Sequence, residues 1–180
     1  MAWQAEEIVS LLRWQRHDIL NHLQVISGYL QLQKSDRALD YLKEVVAWLE
    51  QVGGLMRLQQ PELALAGLYK MEQAAARGIT LTLDVHTLME QTALDREATL
   101  NLWEAAWDLA LDLAGEGGTL QVTLTDVEGG YHLQLQAGTA QGIPAAGTQD
   151  HLAGLAQRHG VPFTWDPAAG TVGLLFKNKE

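Results

Sequence analysis

The chain has 180 residues, of which 22 are acidic and 12 basic, for a formal net charge of −10. This balance argues against a nucleic-acid-binding protein, which needs lysine and arginine to displace counterions from phosphates. The lack of cysteine excludes disulfides, zinc–thiolate sites and thiol nucleophiles. The first residues do not resemble a secretion signal, and no run reaches the ~18 apolar residues that cross a bilayer, so we expect a cytoplasmic protein without membrane contact.

Two long helices are predicted at the amino-terminal end. Apolar residues recur at helical spacing over residues 2–33, and a heptad seam contains Val9, Leu12, Ile19, Leu23, Ile26 and Leu30. A polar break at 34–36 precedes a second helix that runs to about residue 59, before Pro61. Such a hairpin cannot bury its own apolar surface. We therefore expect a homodimer that forms a four-helix bundle, the alternative being that the carboxyl-terminal half covers the seam.

The pattern changes after Pro61, where helices alternate with short strands. Helices are predicted at residues 62–77, 95–114 and 151–159, and strands at 79–85, 119–124, 131–135, 162–165 and 171–176. Asp95 is well placed to cap the helix that follows it. Helices between largely antiparallel strands predict an α+β sandwich with the sheet on one side. We divide the chain into a helical domain, 1–60, and an α+β domain, 61–180.

A polar stripe on the first helix contains the candidate for chemistry. Residues three and four apart share a helix face, and stepping from His17 gives Arg13, Asn21, Gln24, Gly28 and Gln31. His17 therefore lies off the apolar seam and is predicted to be exposed in mid-helix. Neutral imidazole is nucleophilic, and its attack on an aspartyl phosphate would give a phosphohistidine. His17 is thus the candidate phosphoacceptor.

The neighbours of His17 are assigned supporting roles. We count Asp18 and Asn21 with His17 as candidate catalytic residues. Asp18 could hold the His17 ring in one tautomer, although residues adjacent in sequence do not share a helix face. Arg13 and Arg16 can pair with a phosphoryl group or with acidic residues of a partner. Gln24 lies on the same partner-facing stripe, and Gly28 would allow a partner to approach the helix closely.

Metal chemistry is disfavoured at this helix. His17 and His22 are five residues apart, a poor spacing for one helix face to share a metal, and no third ligand is evident. The Arg16-His17-Asp18 string also occurs in histidine-aspartate metal phosphohydrolases, but these need further histidines upstream, and none precedes His17. We predict no metal site and no tightly bound cofactor.

The first helix and the start of the second contain a recognisable motif. It consists of Arg16-His17-Asp18, Asn21, Leu23-Gln24, Ile26, Gly28 and Leu30-Gln31-Leu32, and continues through Lys34, Asp36, Ala38 and Tyr41. This motif closely resembles the phosphoacceptor helix of the sporulation initiation phosphotransferase B family, and it also occurs in citrate- and fumarate-type sensor histidine kinases. The resemblance implies a homodimeric four-helix bundle with His17 on its side. It also implies a carboxyl-terminal domain that is folded like a histidine-kinase ATPase domain but no longer binds ATP.

Three departures from the kinase pattern support this loss of ATP binding. The stretch 101–106 resembles the asparagine box, yet Ala105 stands where an asparagine would hold the magnesium of the nucleotide. The stretch 138–144 keeps a Gly-Ile-Pro ending but lacks the aspartate expected for the adenine amino group. At 153–155 only Ala-Gly-Leu remains of a glycine cluster that would cradle phosphates.

The sequence therefore predicts a phosphorelay phosphotransferase. One response-regulator receiver domain would donate from its aspartate to His17, and His17 would pass the group to the aspartate of a second, with Mg²⁺ supplied by the partner. Two alternatives stay open. One is an ATP-dependent histidine kinase core, and the other is a non-enzymatic dimeric module that binds or sequesters a response regulator.

Overall fold

The computed structural model describes residues 5–138 and 142–179. The chain divides into two compact units, Met1–Gly53 and Gly54–Glu180. Helices and a mixed sheet are both present, which confirms the predicted α+β class. The boundary between the units falls a few residues before the one we drew after residue 60. The second helix continues through Gly53 and Gly54, and Leu55 and Leu58 are already buried.

The first unit is a helical hairpin. Helix α1 spans Ala5–Gln31 and helix α2 spans Ser35–Met56. Between them the backbone N–H of Lys34 donates to the carbonyl of Tyr29 at 2.9 Å, and Gln33 adopts a left-handed conformation with φ 56°. This is the geometry of a helix carboxyl-terminal cap, which closes the last turn of α1 and reverses the chain. Residues 2–4 of the predicted first helix lie outside the described residues.

Aromatic rings join the two helices. The His22 ring of α1 lies 5.8 Å from the Tyr41 ring and 5.4 Å from the Trp48 ring of α2, measured between centroids. Tyr29 and Tyr41 meet edge to face at 6.2 Å. Spacings of this kind are typical of favourable aromatic pairs.

The second unit is a five-stranded sheet with helices packed against it. The helices are α3, Pro61–Ala76, α4, Arg96–Ala114, and α5, Thr148–His159; the strands are β1, Thr80–Val85, β2, Thr119–Val127, β3, Gly130–Ala137, β4, Phe163–Asp166, and β5, Thr171–Lys177. The strand order is β1-β2-β3-β5-β4. Every pair is antiparallel except β1 and β2, which run parallel with α4 between them in the chain.

One face of the sheet forms the core. In β2, buried Leu120, Val122 and Leu124 alternate with more exposed polar residues, and β3 alternates in the same way; β5 is buried over most of its length. Alternation with period two places one set of side chains towards the helices and the other outwards. Helix α4 lies on the buried face and brings in two fully buried indoles, Trp103 and Trp107, whose N–H groups have no partner among the described residues.

Local signals explain where the helices begin. Asp95 caps α4 as predicted, because its carboxylate accepts a 2.7 Å hydrogen bond from the backbone N–H of Ala98. Helix α5 begins at Thr148, earlier than the predicted residue 151, directly after Gly147 with its left-handed φ of 89°. Its first turn is polar, so the apolar periodicity did not reveal it.

Candidate functional site

His17 lies on the exposed side of α1 with one ring nitrogen engaged. Its side chain is exposed, and the Asn21 amide nitrogen lies 3.1 Å from His17 Nδ1, one helical turn on. As placed, the Asn21 N–H donates to Nδ1, so the ring hydrogen lies on Nε2. The amide of Asn21 can present either its nitrogen or its oxygen to the ring. With the oxygen turned inwards, Nδ1 donates and Nε2 carries the lone pair.

The predicted stripe around His17 is present on the surface. Arg13, Arg16 and Gln24 are exposed, so their polar groups are accessible to a partner. Gly28 is half-buried, yet a methyl group built on its Cα would meet nothing within 4 Å. No neighbour described within this chain therefore requires glycine at position 28.

Asp18 contacts His22 and not His17. Its Oδ2 atom lies 3.6 Å from His22 Nε2, which is an ion-pairing distance and too long for a direct hydrogen bond. The other nitrogen, His22 Nδ1, lies 2.8 Å from the Tyr41 hydroxyl on α2. Asp18 therefore makes no described contact through which it could hold the His17 ring in one tautomer. Asn21, which contacts His17 Nδ1, is placed to do so. Adjacent helix residues point about 100° apart, which is the physical reason.

The sequence interpretation missed the chain of contacts Asp18–His22–Tyr41. Burial raises the pKa of the Tyr41 hydroxyl, and the nearby carboxylates of Asp18 and Glu44 raise it further. Tyr41 therefore stays protonated at neutral pH and can donate to His22. A four-residue Asp18-to-His22 spacing was a usable signal, since it places both on one helix face. The contact with Tyr41 joins residues 19 apart and had no local signal.

An apolar surface covers the outside of the hairpin. The exposed apolar side chains on α1 include Leu12, Ile19, Leu23 and Leu30, and those on α2 include Leu39, Leu42, Val46 and Leu49. Leu23, for example, is 55% exposed. On both helices these residues recur every three, four or seven positions, which is the spacing of a bundle seam.

A second concave feature lies between α4 and α5. This cleft of about 790 Å³ is lined by Asn101, Glu104, Ala105, Asp108 and Asp112 on the α4 side and by Thr148, His151, Leu155 and Arg158 on the α5 side. Two of its carboxylates are paired with cations: Asp108 with Lys70 of α3 at 2.5 Å, and Asp112 with Arg77, the residue that caps the end of α3, at 3.1 Å. Burial raises the pKa of Glu104, Lys70 lowers it in part, and Asp108 raises it again.

The three predicted departures from the kinase pattern have different positions in this unit. Ala105 lines the cleft and is only 5% exposed. Gly154 lies in the middle of α5, where the helix engages the backbone N–H groups, so it forms no phosphate-cradling loop. In the stretch 138–144, residues 139–141 lie outside the described residues. Gly142 is described and donates its N–H to Leu113 at 3.0 Å.

The α+β fold of this chain is similar to that of solved histidine-kinase structures. The catalytic domain of histidine kinase ThkA superposes with a TM-score of 0.51 at 13% identity, over 66% of this chain and 90% of that one. The blue-light activated histidine kinase of Erythrobacter litoralis superposes with a TM-score of 0.50 at 14% identity, over 98% and 61%.

Sequence comparisons find a resemblance in the amino-terminal part of the chain. Residues 1–58 match the model described as Sensor_kinase_SpoOB-type, alpha-helical domain. This match confirms the resemblance predicted from the motif around His17.

Two curated relatives support this resemblance. Sporulation initiation phosphotransferase B of Bacillus subtilis is 41% identical over 58 residues, 32% of this chain and 30% of the relative. Sensor protein CitS of Halalkalibacterium halodurans is 30% identical over 141 residues, 74% of this chain and 26% of the relative. The chain thus aligns with less than a third of either relative. Among the helices of residues 5–138 and 142–179, none combines the length and apolar character that a membrane span requires.

Proposed function

We propose that this protein is a histidine phosphotransferase of two-component signalling, with His17 as the phosphoacceptor. The observation that carries the proposal is the exposed His17 ring with Asn21 at 3.1 Å from Nδ1. With the Asn21 amide oxygen turned towards the ring, Nδ1 donates to it and the accessible Nε2 carries the lone pair. A buried structural histidine would instead have both nitrogens engaged, as His22 does. The helical-domain family and the relative named as a phosphotransferase support the same role.

The proposed reaction is two displacements at phosphorus. The Nε2 lone pair attacks the phosphorus of an aspartyl phosphate on a receiver domain, the N–P bond forms, and the O–P bond breaks to restore the carboxylate. In the second displacement a carboxylate oxygen of another receiver attacks, and the N–P bond breaks to return the electron pair to the ring. No net oxidation or reduction takes place. Phosphoryl transfer of this kind depends mainly on positioning and on charge stabilisation.

Partner residues would supply most of that charge stabilisation. Arg13 and Arg16 are the exposed cations nearest to His17 in the chain, and they suit a phosphoryl group or the acidic pocket of a receiver domain. We propose that Mg²⁺ arrives with the receiver domain. A location in the cytoplasm stays a prediction.

We further propose that the reaction does not use ATP. A nucleotide in the α4–α5 cleft would place its phosphates near three carboxylates, of which Glu104 has no ion-pair partner among the described residues. Ala105 has no oxygen for magnesium, and the helical Gly154 offers no free N–H groups for phosphates. The carboxylates repel an anionic ligand, and the other two features remove groups that would hold magnesium and phosphates.

A homodimer is part of the proposal. The exposed leucines, isoleucine and valine of the seam would be covered if two hairpins packed as a four-helix bundle. Burying such side chains contributes roughly 25 cal/mol for each square ångström of apolar surface. The His17 stripe lies on another face of α1 and would stay accessible to a partner in such a dimer.

The test offers the purified protein two phosphoryl sources separately. One is radiolabelled ATP, and the other is a receiver domain carrying labelled aspartyl phosphate. We expect acid-labile label from the receiver only, its loss in His17→Gln, and its passage to a second, unlabelled receiver. Label from ATP alone would make the protein a kinase. Stable complex formation with a receiver, without transfer, would make it a binding module.

A further inference from the structure

The Asp18 carboxylate raises a problem for the proposed phosphotransfer. Asp18 is adjacent in the chain to His17, so a phosphorylated His17 would carry a dianion one residue from a negative charge. Like charges this close repel, and the repulsion depends on where the carboxylate is held. The position of Asp18 is therefore relevant to the stability of phospho-His17.

The described contacts hold Asp18 on the side that faces α2. Its Oδ2 lies 3.6 Å from His22 Nε2, and both side chains are about two-thirds or more buried, with exposures of 32% and 23%. His22 is itself fixed by the 2.8 Å contact of Nδ1 with Tyr41 and by packing against the ring of Trp48. His17, in contrast, contacts Asn21 on the open face of the helix.

The chemistry of the three side chains limits which atom donates and which accepts in the contacts Asp18–His22–Tyr41. A carboxylate only accepts, so an attraction to Asp18 requires a hydrogen on His22 Nε2. In the neutral ring Nδ1 is then an acceptor, and the Tyr41 hydroxyl donates to it. With its hydroxyl as the donor, Tyr41 favours the tautomer of His22 whose Nε2–H faces the carboxylate.

We propose that His22 is a positioning residue for phosphotransfer: bound by Tyr41, it draws the Asp18 carboxylate towards α2 and away from the phosphoryl group on His17. Without His22, the carboxylate is free to swing towards the phosphorylated ring and destabilises it. This inference rests on the proposed function, because it concerns the phosphorylated state of His17. In this proposal Asp18 takes no direct part in the reaction, and His22 keeps its negative charge away from His17.

The experiment measures phosphorylation of His17 by potassium phosphoramidate, which needs no protein partner. The imidazole lone pair forms the N–P bond, the P–N bond of phosphoramidate breaks, and ammonia leaves with a proton. Label on His17 is the label lost in His17→Gln. We expect the rate and final extent in His22→Leu to fall about tenfold, as expected when a charge moves a few ångströms closer to a dianion. Tyr41→Phe removes only the hydroxyl and should lower the rate and extent of phosphorylation by a smaller factor.

A second background separates positioning from packing. In Asp18→Asn the charge is absent, so phosphorylation should be faster than in the wild type, and adding His22→Leu should then change little. A packing defect would slow both backgrounds equally, and that result overturns the proposal. Asp18→Asn that is slower than the wild type also overturns it, because the carboxylate would then be required. The defect of His22→Leu should shrink at high salt, which screens charge repulsion but not packing.

The same variants distinguish failure of this inference from failure of the proposed function. If the wild type takes label from phosphoramidate on His17 but never from a receiver domain, the relay role is wrong and the test of His22 still stands. If receiver transfer occurs and His22→Leu is equally slow in both Asp18 backgrounds, the relay role stands and the role of His22 is wrong.

Discussion

Replacing Gly28 by alanine tests the predicted docking face and separates it from stability. Glycine inside a helix costs about 1 kcal/mol relative to alanine. A Cβ at position 28 meets nothing within 4 Å, so no steric penalty offsets the gain. Helix α1 ends at Gln31, so Gly28 lies in its last turn, where helix propensity matters less. We therefore expect Gly28→Ala to raise the free energy of unfolding by about 0.5 kcal/mol. That corresponds to roughly 1–2 °C in Tm for a chain of this size.

The rate of phosphoryl transfer from a receiver domain should fall in the same variant, although its stability rises. If a receiver approaches the helix at Gly28, then Gly28→Ala should slow transfer from the receiver to His17, and the longer Gly28→Gln should slow it more. Phosphorylation by phosphoramidate should be unchanged in both. Stability is measured by urea unfolding followed with far-ultraviolet circular dichroism, and transfer by single-turnover labelling.

The matched control reverses the substitution on the other helix. Ala47 is exposed in the middle of α2, so Ala47→Gly should lower stability by about 1 kcal/mol and leave receiver transfer intact. Two results would refute the reasoning about Gly28. A loss of stability in Gly28→Ala would mean that another chain already occupies the space beside it. Full receiver transfer in Gly28→Gln would mean that the partner docks elsewhere.

Three further predictions concern the seam and the cleft. Leu23→Asp places a charge on the seam and should give a monomer by light scattering, whereas Gln24→Asp, one position away, should stay dimeric; a dimeric Leu23→Asp would exclude the seam. Since burial raises the pKa of Glu104, Glu104→Gln should stabilise the protein at neutral pH, and this gain should shrink as pH falls and vanish below about 4.3, the ordinary glutamate value. A gain that is independent of pH would contradict this. Lys70→Met leaves the half-exposed Asp108 without its cation and should cost about 1–3 kcal/mol in urea unfolding, with partial recovery in the double variant with Asp108→Asn; no loss would mean that the pair is fully screened.

Periodicity was sufficient to predict most helices and strands of this chain. The helix over residues 96–114 and the strands around residues 120 and 133 each bury one face. Apolar residues therefore recur in the sequence with the period of the helix or of the strand. The direction of strand pairing was less accessible. Alternation is the same for parallel and antiparallel strands, so the parallel pairing of β1 with β2 could be read only from the structure.

The candidate site divides in a similar way. The face that His17 shares with Asn21 follows from a four-residue step on one helix, and the structure places the two side chains in contact. The partnership of Asp18 with His22, and of His22 with Tyr41, depends on how α1 lies against α2. Rotation of one helix by half a turn would break these contacts without changing the pattern of either helix. Long-range polar contacts therefore need the packed structure.

The ion pairs Asp108–Lys70 and Asp112–Arg77 have an evolutionary consequence. An asparagine at position 105 would bring one side-chain oxygen to the cleft, but Asp108 and Asp112 would keep their carboxylates there, tied to Lys70 and Arg77. Removing either acid alone would strand a cation, and a glycine loop would require α5 to unwind around Gly154. Several changes at once would therefore be needed to convert this cleft, because each change alone is harmful. Each acid of the cleft is expected to change together with its paired cation.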